Sequence, residues 1–258
     1  MPLLLAVGAS LSLGQSLTSF PSAWLENRLH GFALAGLAGW FLWRDRERLV
    51  LAKRGSSLVI APIAVLSLVW AIGIILNAQL LHQALVPVLL FGWWYAVAGW
   101  PAAVVAIPAS IVAQLATPFW GLFVVPLQAL TVLANSLLLA VTGIDAEISG
   151  TYIAIPAGVF EVARGCSGAN YFEAGTVIAT VYALYFLRHW RARFWAVAVG
   201  ALMAAVSNWL RVFGLIIIGQ ATEMQSPLIK DHNAYGWVIF AVVIAAFFAL
   251  ARRFERYD

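Results

Sequence analysis

A stretch without basic residues places the strongest constraint on the fold. Residues 56–163 contain no lysine or arginine and consist mostly of apolar runs separated by short polar turns. Across the chain, 63% of residues are hydrophobic and 10% are charged, with a mean hydropathy of +0.92. Soluble domains carry about 25% charged residues. Because lipid leaves no water to satisfy backbone polar groups, the sequence predicts an all-α polytopic membrane protein.

The apolar runs predict about eight transmembrane helices within one domain, residues 1–258. Residues 143–160 differ, since turn residues and β-branched side chains alternate there and predict a small extracytoplasmic hairpin close to Cys166. The predicted spans include residues 3–17, 32–43, 58–76, 85–100, 168–187, 194–218 and 235–250.

The basic segments set the expected orientation. Residues 44–54, 188–193 and 252–256 hold clustered arginines, which predicts that they are cytoplasmic. With Cys166 at the outer face, the chain must cross the membrane an odd number of times between Arg54 and Cys166. This apolar stretch, however, offers four candidate helices. The last, residues 126–142, has Gln128, Thr131, Asn135 and Ser136 along one stripe, so we interpret it as amphipathic, at the outer interface or lining a cavity. A fourth true span would instead place Cys166 inside.

Cys166 is the only cysteine, and it lies where a polar segment turns into a long apolar run. We interpret it as the first residue of a transmembrane helix, at the outer end. There the helix dipole and the free N–H groups of the first turn favour a nucleophilic thiolate. The alternative is a small buried residue that fills a gap. One cysteine excludes an intramolecular disulfide and a multi-cysteine metal site, and we expect no metal and no cofactor.

Two later segments carry further candidates. Arg211 lies inside an apolar helix, roughly 10 Å from its outer end, and Asn208 is one turn away on the same face. This predicts that the face is polar and meets a cavity, whereas the alternative is an arginine that snorkels to the interface. His232 precedes the last helix at its outer mouth. We therefore expect Cys166, Arg211 and His232 to share one outer-leaflet cavity.

Taken in order, these segments resemble the exosortase/archaeosortase family of membrane cysteine transpeptidases. The matching elements are Cys166-Ser167-Gly168, then Asn208 with Arg211-Val212, then His232 before the last helix. The resemblance is specific over residues 157–248, and the N-terminal half matches only as a multi-helix membrane domain. Arg164-Gly165 stands where an acidic residue and alanine are frequent in the family, so the subtype stays open.

The residue types and the resemblance together suggest roles. The Cys166 thiolate attacks a peptide carbonyl and forms a thioester, His232 transfers protons, and Arg211 holds the oxyanion. The backbone N–H groups of Ser167 and Gly168 are expected to supplement Arg211. Glu173 either pairs with Arg211 or packs as a protonated acid, and the sequence leaves both open.

The resemblance also implies the partners. They are exported proteins with a C-terminal sorting signal of the PEP-CTERM kind, in which a motif such as Pro-Glu-Pro precedes a membrane helix and a basic tail. Transfer to an acceptor and hydrolysis both remain open. The expected location is the cytoplasmic (inner) membrane, with the site facing outward and no nucleic-acid partner. The competing class is a non-enzymatic transporter in which Glu173 and Arg211 line a solute path.

Overall fold

The computed structural model describes residues 24–50, 59–230 and 232–256. They fall into two compact units, divided between Phe119 and Trp120. The predicted first span, residues 3–17, lies outside the described residues, and the prediction of a single domain over residues 1–258 stays a prediction.

The described part of the first unit is helical, because an apolar backbone must satisfy its own hydrogen bonds. Its helices are α1 (Trp24–Arg44), α2 (Arg46–Val50), α3 (Ile60–Ile75), α4 (Gln79–Val105) and α5 (Ile107–Leu115). Helix α4 is longer than the span predicted at residues 85–100, since it begins at Gln79 and continues past Trp100 to Val105. A kink marks the predicted end at Trp100, because Gly99 has φ 82° and Pro101 provides no N–H.

The second unit is built around one long helix. Its elements are α6 (Val124–Thr142), β1 (Glu147–Ser149), β2 (Tyr152–Ile155), β3 (Gly158–Glu161), α7 (Ala169–Phe186), α8 (Trp190–Ala221), α9 (Pro227–Lys230) and α10 (Asn233–Arg256). Helix α8 has 32 residues, and α6, α7 and α10 all pack against it. At ~1.5 Å per residue it is about 48 Å long, so it exceeds the predicted span at both ends.

The segment expected to form a hairpin is a three-stranded antiparallel sheet in the order β1-β2-β3. Ile153 pairs with Ile148 on one side and with Phe160 on the other. Ile153 and Ile155 are buried and pack with Val132, Leu139 and residues of α8. The sheet therefore covers α6 and α8 with an apolar face, and its side of the membrane stays a prediction.

Four helical stretches in the described residues are long and apolar enough to cross a membrane, by length and composition: Gln83–Val105, Phe119–Thr142, Trp190–Ala221 and Asn233–Glu255. The stretch ending at Thr142 includes residues 126–142, for which we expected an interfacial or cavity-lining position. Its polar stripe faces the protein, since Thr131 and Asn135 are fully buried. Helix α5, with 9 residues, is too short for a span at ~1.5 Å per residue. The total of eight spans stays a prediction.

Candidate active site

Cys166 lies in a short turn before α7, which corrects its expected position at the start of the helix. Residues Arg164–Cys166 form a 3-10 turn, and α7 begins only at Ala169. Gly168, at the N-cap, has φ 90°, a left-handed conformation that glycine adopts without the strain of a Cβ. The thiol therefore precedes the first helical turn. The free N–H groups of that turn do not favour the Cys166 thiolate in the way that was expected.

Ser167 stabilises this turn and the helix start. Its side chain is buried, and its Oγ accepts a hydrogen bond from the Ala169 N–H at 3.3 Å. Its own N–H donates to the Arg164 carbonyl at 3.3 Å. Since that N–H already has a partner, Ser167 is a poor source of an oxyanion donor. Of the two backbone donors predicted from sequence, the Gly168 N–H is the better candidate.

Asn208 connects the cysteine turn to two helices. Its Nδ2 donates to the Cys166 carbonyl at 3.0 Å and to Thr131 Oγ1 at 3.2 Å. Thr131 in turn donates to the Ser167 carbonyl at 3.1 Å. Asn208 and Thr131 are fully buried, where such bonds are costly to break. The role of Thr131 was not predicted, although the polar stripe on residues 126–142 was its signal.

The Asn208 network requires a glycine at residue 168. A Cβ built there would lie 2.7 Å from Asn208 Cγ and Nδ2. We expect Gly168→Ala to lower activity at least about tenfold, because it strains the left-handed backbone by ~1 kcal/mol and displaces Asn208 from the cysteine turn. The measurement is substrate processing at matched membrane levels.

Gly143→Ala is the control for this prediction. Gly143 also has a left-handed φ, 72°, but a Cβ there meets nothing within 4 Å. Gly143→Ala should therefore introduce a similar backbone strain without lowering activity. Equal losses in the two variants would show that strain, rather than contact with Asn208, is responsible.

Arg211 is buried in the protein interior. Arg211 is 4% exposed, and this burial argues against the alternative in which its side chain snorkels to the membrane interface. Nη1 lies 3.5 Å from Asn208 Oδ1, and Cζ lies 5.5 Å from the centre of the Tyr171 ring. Within the described residues Nε has no hydrogen-bond partner, and no ion pair involves Arg211. Burial without an acidic partner leaves the positive charge of the guanidinium uncompensated, which favours an anion beside it.

The first turn of α10 closes over Arg211. A Cβ on Gly236 would lie 2.6 Å from Arg211 Nε and 2.1 Å from the Tyr171 hydroxyl, so only glycine fits this contact. The Gly236 N–H donates to the His232 carbonyl at 3.1 Å. His232 is therefore one helical turn from the residue that touches Arg211.

A backbone contact selects the tautomer of His232. Its Nδ1 lies 3.2 Å from the Ile229 carbonyl in α9. A carbonyl only accepts, so this contact is favourable when Nδ1 carries the proton. In neutral His232, Nε2 is then the acceptor, as a general base requires. The sequence did not predict this contact, because it depends on the short helix α9 ending just before His232.

The candidate residues are brought together to different degrees. Asn208 contacts both Arg211 and the Cys166 carbonyl, and the Tyr171 ring lies under the Arg211 guanidinium. The half-buried Cys166 packs against the apolar cluster formed by α6, the sheet and α8. In the part of the chain described, no hydrogen bond joins the thiol to Arg211 or His232. Glu173 is half-buried on α7, and the α7 side chain under the guanidinium is Tyr171.

Comparison with known proteins gives a family assignment. Neither the curated proteins nor the solved structures contain a match to the chain. The family model described as transmembrane exosortase (Exosortase_EpsH) matches residues 24–249, which include the cysteine turn, the buried arginine and the histidine before the last helix. The match covers most of the chain, and the chain therefore belongs to the transmembrane exosortase family.

Proposed function

We propose that the protein is a membrane cysteine transpeptidase that removes C-terminal sorting signals from exported proteins through a thioester intermediate. Membership of the exosortase family supports a transpeptidase or protease-type role in the membrane. The observation that carries the proposal is the buried Arg211, which forms no ion pair among the described residues and lies one side chain from the cysteine turn.

In the first step, the Cys166 sulfur attacks the carbonyl carbon of the scissile peptide, and the carbonyl oxygen becomes an oxyanion. Arg211 stabilises that charge with donors that no carboxylate among the described residues occupies. The C–N bond then breaks, the amine leaves with a proton and the thioester remains. An acceptor nucleophile or water attacks the thioester and regenerates the thiol.

His232 moves the protons of this sequence. Its Nε2 takes the thiol proton and returns it to the leaving amine, and the contact of Nδ1 with Ile229 keeps the ring in the required tautomer. Among the described residues, the thiol and the imidazole are not hydrogen-bonded to each other. Catalytic contacts are often long without substrate and shorten when it binds.

The proposed substrates have a short motif, a membrane helix and a basic cytoplasmic tail. A reporter protein with a Pro-Glu-Pro motif, a helix and an arginine tail, expressed with the chain, should become shorter by that C-terminal segment. The matched control has the motif replaced by Ala-Ala-Ala and should stay intact. Equal shortening of both reporters, or of neither, would contradict the proposed specificity.

The proposed location is the cytoplasmic (inner) membrane, with the site facing outward. After Arg54, α4 and the stretch that ends with α6 are long and apolar enough to cross, whereas α3, at about 24 Å, and α5, at about 14 Å, are both shorter than a bilayer core of ~30 Å. The proposal takes α3, which lies within the predicted span at residues 58–76, as the third crossing, so that an odd number of crossings separates Cys166 from the basic segment at residues 44–54. This count includes residues 126–142, which were expected to be amphipathic, and omits α5, and the side on which Cys166 lies stays a proposal.

Labelling of Cys166 tests this orientation. Because it is the only cysteine, a membrane-impermeant maleimide should modify the protein in intact cells, or in spheroplasts where there is an outer membrane. His189→Cys in a Cys166→Ser background provides the control, because His189 is exposed in the basic loop proposed to be cytoplasmic. It should react only after permeabilisation. The reverse pattern would overturn the orientation.

A further inference from the structure

We propose that Tyr171 is a positioning residue for Arg211, whose guanidinium it holds over the cysteine turn. The proposal rests on the function proposed above and extends it to a residue outside the three sequence segments. Arg211 Cζ lies 5.5 Å from the centre of the Tyr171 ring, within the ~6 Å over which an aromatic face attracts a cation.

The Tyr171 ring is itself fixed in place. It is 7% exposed and packs against two aromatic side chains of α10, Trp237 at 5.6 Å and Phe240 at 5.3 Å between ring centres. Its hydroxyl and Arg211 Nε both lie against the Cα of Gly236. The ring therefore has little freedom to rotate away, and a fixed ring is a suitable platform for a long, flexible side chain.

An aromatic ring can hold a buried arginine without neutralising its charge, whereas a carboxylate cannot. A buried arginine is ordinarily held by an acidic partner, which occupies its N–H donors and neutralises its charge. The Tyr171 face attracts the cation without neutralising its charge, even though Nε is packed against Gly236. Arg211 is then held mainly by this ring and by the long 3.5 Å contact with Asn208. Its orientation depends on the ring, and its charge stays available to the reaction.

The location of Tyr171 connects this contact to the reacting sulfur. Tyr171 lies in the first turn of α7, which begins three residues after Cys166, and Arg211 above its ring meets the cysteine turn through Asn208. A guanidinium released from the ring would move relative to the sulfur. The expected consequences are slower processing and a less positive potential at Cys166.

The test compares Tyr171→Leu, which removes the ring, with Tyr171→Phe, which keeps it and removes the hydroxyl. Tyr171→Leu should slow reporter processing roughly tenfold, as loss of a desolvated cation–π contact implies, while Tyr171→Phe should retain most activity. Phe247→Leu is the matched control, since Phe247 is a fully buried ring in a separate cluster of α10. It should lose no more activity than Tyr171→Phe.

A second readout distinguishes positioning from a general loss of structure. In purified protein, Cys166 is modified by the anionic 2-sulfonatoethyl or the cationic 2-(trimethylammonium)ethyl methanethiosulfonate, and the ratio of the two rate constants reports the local charge. Arg211→Gln should lower the ratio of the rate constant for the anionic reagent to that for the cationic reagent. Tyr171→Leu should lower this ratio nearly as far. Tyr171→Phe and Phe247→Leu should keep the wild-type ratio.

Two results would overturn the proposal. One is a wild-type charge ratio in Tyr171→Leu, and the other is an equal loss of activity in Tyr171→Phe and Tyr171→Leu, which would assign the role to the hydroxyl. The labelling ratio needs no substrate, so it stays informative even if the chain proves not to be a peptidase. Failure of the proposed function would appear separately, as processing that does not require Cys166.

Discussion

Cys166→Ala is expected to abolish processing, with a loss on the order of 10⁴-fold or more, the scale at which enzymes lose activity without their nucleophile. Cys166 is the only cysteine of the chain and lies half-buried beside the Asn208 network. Without its sulfur no thioester forms. The measurement is accumulation of the full-length reporter in cells that carry equal membrane levels of wild-type and variant protein.

Cys166→Ser should be nearly as severe. A serine hydroxyl is far less ionised than a thiol near neutral pH, and it needs a base in hydrogen-bond contact to become a nucleophile. In the described chain no such contact reaches residue 166. Because serine is close to cysteine in size and leaves the packing intact, its effect isolates the chemistry from the fold. Normal processing by Cys166→Ala would reject the cysteine mechanism and favour the transporter interpretation.

Arg211→Lys is the second substitution with a large expected effect, a fall of about 10²- to 10³-fold, as for loss of an oxyanion donor. The charge is retained, but the planar fork is lost. In the native site the guanidinium lies against the Tyr171 ring and reaches Asn208 Oδ1 with Nη1, while Nε is left without a partner among described residues. A lysine ammonium is a single compact donor and cannot meet these contacts together.

The control for this prediction is Arg193→Lys at the opposite end of α8. Arg193 donates through Nε to the Leu187 carbonyl at 2.9 Å, so it also uses its guanidinium in a hydrogen bond. It lies in the basic segment remote from the site, and its replacement should leave processing near the wild-type rate. A comparable loss in both variants would indicate a general requirement for arginine in α8 rather than a catalytic one at residue 211.

His232→Ala is expected to have the mildest effect of the three candidates. The imidazole transfers protons, and water or the leaving amine can partly replace it, whereas nothing replaces the sulfur. The contact of Nδ1 with Ile229 implies that the short helix α9 contributes to this role. Residual processing by His232→Ala, together with none by Cys166→Ala, would separate proton transfer from acyl transfer.

Local patterns in the sequence were sufficient to predict several features of the structure. Length and apolar composition predict helices wherever the described structure has long ones, because a backbone in lipid must satisfy its own hydrogen bonds. The spacing of Asn208 and Arg211 predicts one helical face, and Nη1 of Arg211 lies 3.5 Å from Asn208 Oδ1. The polar stripe at residues 126–142 predicts an amphipathic helix at the outer interface or lining a cavity, and in the structure Thr131 and Asn135 of this stripe are fully buried.

Other features depend on which helix faces pack against each other, and no local sequence pattern predicts that packing. The start of α7 at Ala169, three residues later than the cysteine, follows from the left-handed Gly168 packed against Asn208 of another helix. Likewise, the aromatic residues of α7 predict only a membrane helix, whereas their packing against α10 places one ring under the guanidinium.

The sequence by itself determined the helical membrane architecture, the order of the cysteine, arginine and histidine segments, and the shared face of Asn208 and Arg211. These depend on hydrophobicity and on helical period, which are properties of neighbouring residues. Only the tertiary structure decided that Thr131 supports the cysteine turn, that Tyr171 lies under Arg211 and that Gly236 closes over both. Those contacts join residues far apart in the chain, and they exist because helices α6, α7 and α10 all pack against α8.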